Sequence, residues 1–237
     1  MLRILLALLV TAAAYLYWDA RVPGVPLTAW QIDRYLDPAQ PRHRIEAALR
    51  DLKVPHPGLA RLREHPDATV RAEVARLAAV AGQLEDRSPW VRFRAALALE
   101  RNEPTAARPV LLAALRATAV FATDAGALEW RLAEGASLEA GEALGSIDGR
   151  PVPCPVPGRL ARRYVLTGEA VRPGRRLADI VLTDPWQVAA LDALGRIGLP
   201  VDIDEIRLFQ SEKYPTTVQR AAARAIGNIQ SLRPLVW

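Results

Sequence analysis

Two segments decide how this chain folds: GASLEAGEALGSI at 135–147 and GEAVRPGRRLADI at 168–180. Gly135, Leu138, Gly141, Leu144 and Ile147 of the first recur 33 residues on as Gly168, Val171, Gly174, Leu177 and Ile180. Both copies therefore read G-x-x-[LV]-x-x-G-x-x-L-x-x-I, and five matches at one offset are not chance. Glycines three residues either side of an apolar residue suit turns that need positive φ, and the closing L-x-x-I suits a short strand entering a core. Neither copy can bury its apolar side alone, so the two are expected to pair into a small sandwich.

Between the copies runs Val152-Pro153-Cys154-Pro155-Val156-Pro157-Gly158-Arg159-Leu160. With the duplicated motif it resembles the biotinyl/lipoyl-like barrel-sandwich hybrid, whose middle usually reads I-x-A-P-x-x-G-x-[VIL]. Residues 127–182 carry the resemblance. Carrier members of that family present a lysine for biotin or lipoate on a hairpin after the first-half Ile. Here Ile147 is followed by Asp148-Gly149-Arg150-Pro151, and the only lysines of the chain are Lys53 and Lys213. Asp-Gly signals a tight type I′ hairpin with no protruding tip. The resemblance is thus to the non-carrier versions, such as the structural module of membrane fusion proteins in bacterial export pumps, and it implies no cofactor.

On either side the periodicity is helical. Helices broken by prolines are expected at about 42–53, 57–64, 67–82, 88–101 and 104–117, after a short one capped by Thr28 that carries Trp30, Ile32 and Tyr35. Val70, Val74, Leu77, Ala78 and Ala81 mark one buried face, and Val91, Ala95, Ala98 and Leu99 repeat its beginning. After the duplicated segment, Asp184-Pro185-Trp186 echoes Ser88-Pro89-Trp90 and opens a helix with Val188, Leu191, Leu194 and Ile197. A helix at about 202–212 follows, then one with Val218, Ala222, Ala225, Ile226 and Ile229. Asp67-Ala68-Thr69-Val70-Arg71, Pro89-Trp90-Val91-Arg92 and Pro215 to Gly227 resemble HEAT-like repeats, whose signature is Pro or Asp before V-R and then A-A-x-A-L-G. The implied fold class is α+β multidomain: an N-terminal membrane helix and a short HEAT-like α-solenoid with an inserted small all-β barrel-sandwich hybrid.

Met1 to Trp18 reads as the anchor. Arg3 precedes an apolar run, and Tyr15, Tyr17 and Trp18 close it as an interfacial belt. A cleavable signal peptide ending at Ala12-Ala13-Ala14 is the alternative. The domain order is then 1–20 anchor, 21–41 linker with a short helix, 42–120 HEAT-like repeats, 121–183 β domain and 184–237 further repeats. This places the chain in a bacterial inner membrane as a single-pass protein with its folded part in the periplasm.

Chemistry is sparse. His43, His56 and His65 lack the i, i+4 spacing of two ligands on one helical face and are expected at the surface, so no metal site is assigned. No serine sits in a G-x-S-x-G elbow, no glycine run cradles phosphate, and Asp202, Asp204 and Glu205 read as a helix start. No catalytic or cofactor-binding residue is assigned. Cys154, the sole cysteine, is expected as a small buried apolar residue. The net charge of +5 is too small for the length to argue for nucleic acid. Arg159, Arg162, Arg163, Arg172, Arg175 and Arg176 form the one dense cluster, the candidate contact for lipid headgroups or an acidic protein.

The function expected is that of a non-enzymatic membrane-anchored scaffold or accessory subunit of an envelope complex, with protein partners and the bilayer as its contacts. A periplasmic adaptor of a transport or export system is the alternative, and a lyase-like HEAT-repeat enzyme a second one. The β domain is expected to fold apart from the helices.

Overall fold

The computed structural model describes residues 26–231. The expected anchor, with Arg3, Tyr15, Tyr17 and Trp18, lies outside them. Among the described residues no helix is long and apolar enough to cross a membrane. The described residues divide into two compact units, one up to His65 and one from Pro66 onward, a break within the helical stretch and not at the ends of the β segment.

In the first unit, α1 (Ala29–Tyr35) starts at Thr28, whose hydroxyl accepts the Gln31 N–H while the Gln31 side chain accepts the Thr28 N–H. It is followed by α2 (Arg42–Asp51) and a 3₁₀ turn, Pro57–Leu62. Tyr35, Leu36, Ile45, Ala48, Leu49, Leu59 and Leu62 are buried there. Trp30 departs from the expected apolar face and stays 53% exposed beneath the Arg34 guanidinium. The segment expected as a helix at 57–64 is instead a 3₁₀ turn at Pro57–Leu62, entered with the Gly58 N–H held by His56 Nδ1.

The second unit opens with α3 (Ala68–Ala78), a 3₁₀ turn (Ala81–Glu85), α4 (Pro89–Leu99) and α5 (Pro104–Leu115). Asp67 caps α3 and left-handed Ala79 ends it. Eight strands follow: β1 (Thr118–Phe121), β2 (Gly126–Trp130), β3 (Ser137–Leu138), β4 (Ala143–Ile147), β5 (Arg150–Pro153), β6 (Gly158–Arg163), β7 (Ala170–Val171) and β8 (Arg176–Leu182). The chain returns to helix in α6 (Asp184–Ile197), α7 (Ile203–Arg207) and α8 (Thr216–Ser231). Two corrections follow. The β region begins at Thr118, inside the stretch assigned to helices up to 120. The single helix expected at 202–212 is α7 between two 3₁₀ turns, Pro200–Asp202 and Leu208–Gln210, the first closed by the Leu199 N–H donating to the Asp202 carboxylate.

The fold is mixed α+β with two four-stranded antiparallel sheets, β1-β8-β6-β3 and β5-β4-β2-β7. The duplication explains this order. Within each copy two strands pair, β2 with β4 and β6 with β8, while each short strand crosses to the other copy's sheet, β3 onto β6 and β7 onto β2. Neither copy is complete without the other. The four repeat glycines Gly135, Gly141, Gly168 and Gly174 all have φ between +82° and +89°, the left-handed turns that set up this exchange. Asp148 and Gly149 have φ of 46° and 79°, as a type I′ hairpin requires.

Leu138, Leu144, Ile147, Val171, Leu177 and Ile180 are buried, as the periodicity predicts, and they belong to one cluster that continues through Val91, Phe93, Leu111, Leu191, Leu194 and Val218 of the helices. The helical halves meet around the echoed tryptophans. Trp186 lies edge-on to Trp90 at 4.9 Å, with Phe93 completing the group. At Gly195 a β-carbon would stand 2.9 Å from the Ala225 Cα, so small residues bring α6 and α8 together.

Candidate functional site

The arginine cluster is displayed on β6, on β8 and on the turn before β8. Strand β6 carries Arg159, Arg162 and Arg163, and a bulge between Leu160 and Arg162 leaves all three exposed. A bulge re-aims side chains that strict alternation would put on opposite faces. Next to it on β8, Arg176 binds Asp179 through Nη2 at 2.5 Å and Nε at 3.0 Å.

Tyr164 joins two of the arginines, Arg162 and Arg176; Arg163 packs elsewhere, and among the described residues no side-chain contact brings Arg159, Arg172 or Arg175 to them. The Tyr164 hydroxyl donates to Asp179 Oδ2 at 2.7 Å. Its ring receives the Arg176 guanidinium at 4.8 Å and that of Arg162 at 5.1 Å. The Asp179 hydrogen bond, more than burial, raises the phenol above its ordinary pKa, and the same carboxylate raises Arg176. Asp179 is 8% exposed, so it is a fixed partner that neutralises Arg176 and leaves Arg162 uncompensated.

Arg163 turns to another aromatic, Trp130, at 5.8 Å, while its N–H donates to Glu134 Oε1 at 2.6 Å. Trp130 is held by its own indole N–H, which donates to the Val165 carbonyl. Glu134, Arg163, Tyr164, Val165, Leu166 and Thr167 line an open hollow of about 520 Å³, with Leu166 78% exposed at its rim. Arg172 and Arg175 sit in the β7–β8 turn, closed by the Arg175 N–H to the Arg172 carbonyl, and both are exposed.

Among the described residues no carboxylate pairs with the side chains of Arg159, Arg162, Arg163, Arg172 or Arg175; of the six, Arg176 alone has one. Guanidinium groups held over aromatic rings and free of internal carboxylates present rigid donor forks to carboxylate or phosphate oxygens. The sequence showed the arginines but not what arranges them. Tyr164, Asp179 and Trp130 were missed; Tyr164 directly follows Arg162 and Arg163 in the sequence, but its contact with Arg176 and that of Trp130 with Arg163 become legible only once strand register is known.

Elsewhere the chemistry is structural. His43 is exposed, but His65 is buried and His56 is half-buried with its Nδ1 occupied, which corrects the surface placement of those two. Among the described residues no three His, Cys, Asp or Glu side chains are grouped to hold a metal ion. Cys154 is 2% exposed, and its thiol donates to the Val156 carbonyl at 3.0 Å. Burial pushes it up to about 11, which leaves it protonated and unreactive at neutral pH. No family model and no curated protein matches the chain.

Proposed function

We propose that the protein is a non-enzymatic, membrane-anchored scaffold or accessory subunit of an envelope complex. In this reading the helices form a short HEAT-like solenoid, and the paired sheets are an inserted barrel-sandwich hybrid of the non-carrier kind, which holds partners by protein–protein contact. The observation that carries the reading is the arginine surface of β6 and the β7–β8 turn, whose guanidinium groups lack carboxylate partners on a rigid sheet.

Such a surface selects anionic partners and speeds their encounter more than it adds affinity. The periplasmic-adaptor alternative sits less well with the β4–β5 connection. Asp148 and Gly149 close it directly, and the Asp148 carboxylate is bound to the Ala127 N–H, where those adaptors insert a long helical hairpin.

Co-purification from gently solubilised native membranes at rising ionic strength tests the proposal. Partner recovery should fall as the Debye length shrinks from about 10 Å at 0.1 M salt to about 3 Å at 1 M. Recovery unchanged across that range would remove the basic surface as the contact. Intact mass checks the non-carrier assignment: addition of a biotinyl or lipoyl group would overturn it.

A further inference from the structure

The two sheets have four edges, and three are closed to further pairing. Edge strands β3 and β7 are two residues long, and β5, Arg150-Pro151-Val152-Pro153, carries two prolines that cannot donate. The fourth, β1, is Thr118-Ala119-Val120-Phe121, with four residues, no charge and no proline. The duplication relates the β4–β5 pair to the β8–β1 pair, so the same position is blocked in one sheet and open in the other.

The open side of β1 can be assigned by atom. Ala122 turns both backbone groups toward β8: its N–H donates to the Arg175 carbonyl at 2.9 Å and its carbonyl accepts the Gly174 N–H at 2.8 Å. The β1–β8 register shifts between Val120 and Phe121, where β8 carries one extra residue, Leu177; β1 itself keeps its alternation, so the N–H and C=O of Phe121 and Ala119 point away from β8.

At the Thr118 end this edge meets a cleft of about 600 Å³, lined by Thr118 and Ala119 with Leu84, Phe93, Val110 and Ala113 among others. Arg92 is the charged residue of its lining, and its described partners are the Asp86 and Arg87 carbonyl oxygens at 2.7 and 3.3 Å. At the other end Phe121 is 52% exposed beside the turn that carries Arg172 and Arg175.

We infer that β1 is a strand-addition site for an extended segment of a partner protein, apolar at its centre and acidic at both ends. Its backbone pairs antiparallel with Ala119 and Phe121, and its later residues pass Thr118 into the apolar cleft, where Arg92 meets a carboxylate. Arg172 and Arg175 meet the acidic residues at its start. Charge selects this occupant over a second copy of the chain. Two β1 strands paired about a two-fold axis would set the Arg172 and Arg175 turn of each copy against the Arg92 end of the other, cation against cation.

The test pans a displayed library of random nonapeptides on the full chain in detergent micelles. The enriched peptides should alternate apolar residues between acidic ends. They should bind at least tenfold more weakly to Ala119→Pro, which blocks the outward donor, and to Arg92→Gln. Because the proline variant can misfold, amide exchange is also followed on the unaltered chain with an enriched peptide, where the Ala119 and Phe121 amides should slow at least tenfold. Enrichment of basic peptides, or binding that leaves those two amides unchanged, would overturn the inference. So would a concentration-dependent dimer that Ala119→Pro abolishes, since a second copy would then be the occupant. Retention of peptide binding by Arg162→Glu/Arg163→Glu separates this site from the β6 part of the basic surface, whereas Arg172 and Arg175 belong to both.

Discussion

Arg71 illustrates what a single residue contributes in the helical part. It is 3% exposed, gives Asp86 two hydrogen bonds at 2.8 and 2.9 Å and gives the Pro66 carbonyl a third at 3.1 Å. Removing Asp86 takes two charge-assisted hydrogen bonds from a buried guanidinium, so Asp86→Ala should cost about 1.5–3 kcal/mol in urea unfolding. Burial opposes ionisation of Asp86, but the Arg71 bond, the Ser88 N–H and the Arg71 charge together outweigh it and hold the carboxyl below its ordinary value. A depressed acid stabilises the fold above its unfolded pKa of about 4 and loses that contribution as pH falls through the folded value. Urea midpoints at pH 7 and pH 3 should therefore converge more in Asp86→Asn than in the parent chain. Cys154 gives a second check: alkylation at pH 8 should be at least tenfold slower folded than in urea, and equal rates would contradict its burial. The position of Arg71 was legible as a V-R helix start. Its burial was not, because its partner lies fifteen residues away across a turn.

Among elements, the duplicated strands were the most legible part because glycine spacing reports turn geometry directly. Gly135 and Gly168 have positive φ and open space where a β-carbon would go, so alanine there should cost only the left-handed backbone penalty, about 1–2 kcal/mol. At Gly145 an added β-carbon would lie 2.3 Å from the Glu129 carbonyl oxygen, and at Gly158 2.4 Å from Ile180 Cγ2. Alanine at either should cost more than about 3 kcal/mol, since strand separation is fixed by the ladder. Thermal melts of the four variants should fall into those two groups; equal losses would mean the strand register is wrong. Strand β1 escaped sequence reading for a physical reason. Four residues that continue a helix without glycine or proline carry no boundary signal, and their partner β8 is some sixty residues away. The arginines were legible as charge, whereas their arrangement depends on the β6 bulge, which no local pattern announces.

At the scale of the whole molecule, the helices on either side of the β region are tied to each other. Arg108 meets Asp202 at 2.6 Å, Arg196 meets Glu100 through two bonds, and Trp186 packs on Trp90. The β region enters from α5 and leaves into α6, with Val156 and Leu182 lining the cleft beside α5. Replacing residues 118–182 by a short Gly/Ser linker should therefore keep helical circular dichroism and a cooperative melt, at a lower midpoint because shared core is lost. Collapse of the helical signal would show that the sheets are indispensable to the helical core. In the proposed function the basic surface holds the partners, and charge reversal there decides whether it does. Arg162→Glu, Arg163→Glu, Arg172→Glu and Arg175→Glu are combined, sparing Arg176 because it binds Asp179, and partner recovery from native membranes is quantified against the parent chain by isotope labelling. Recovery should fall at least tenfold with an unchanged melting midpoint; full recovery from a folded variant would remove the basic surface as the partner contact.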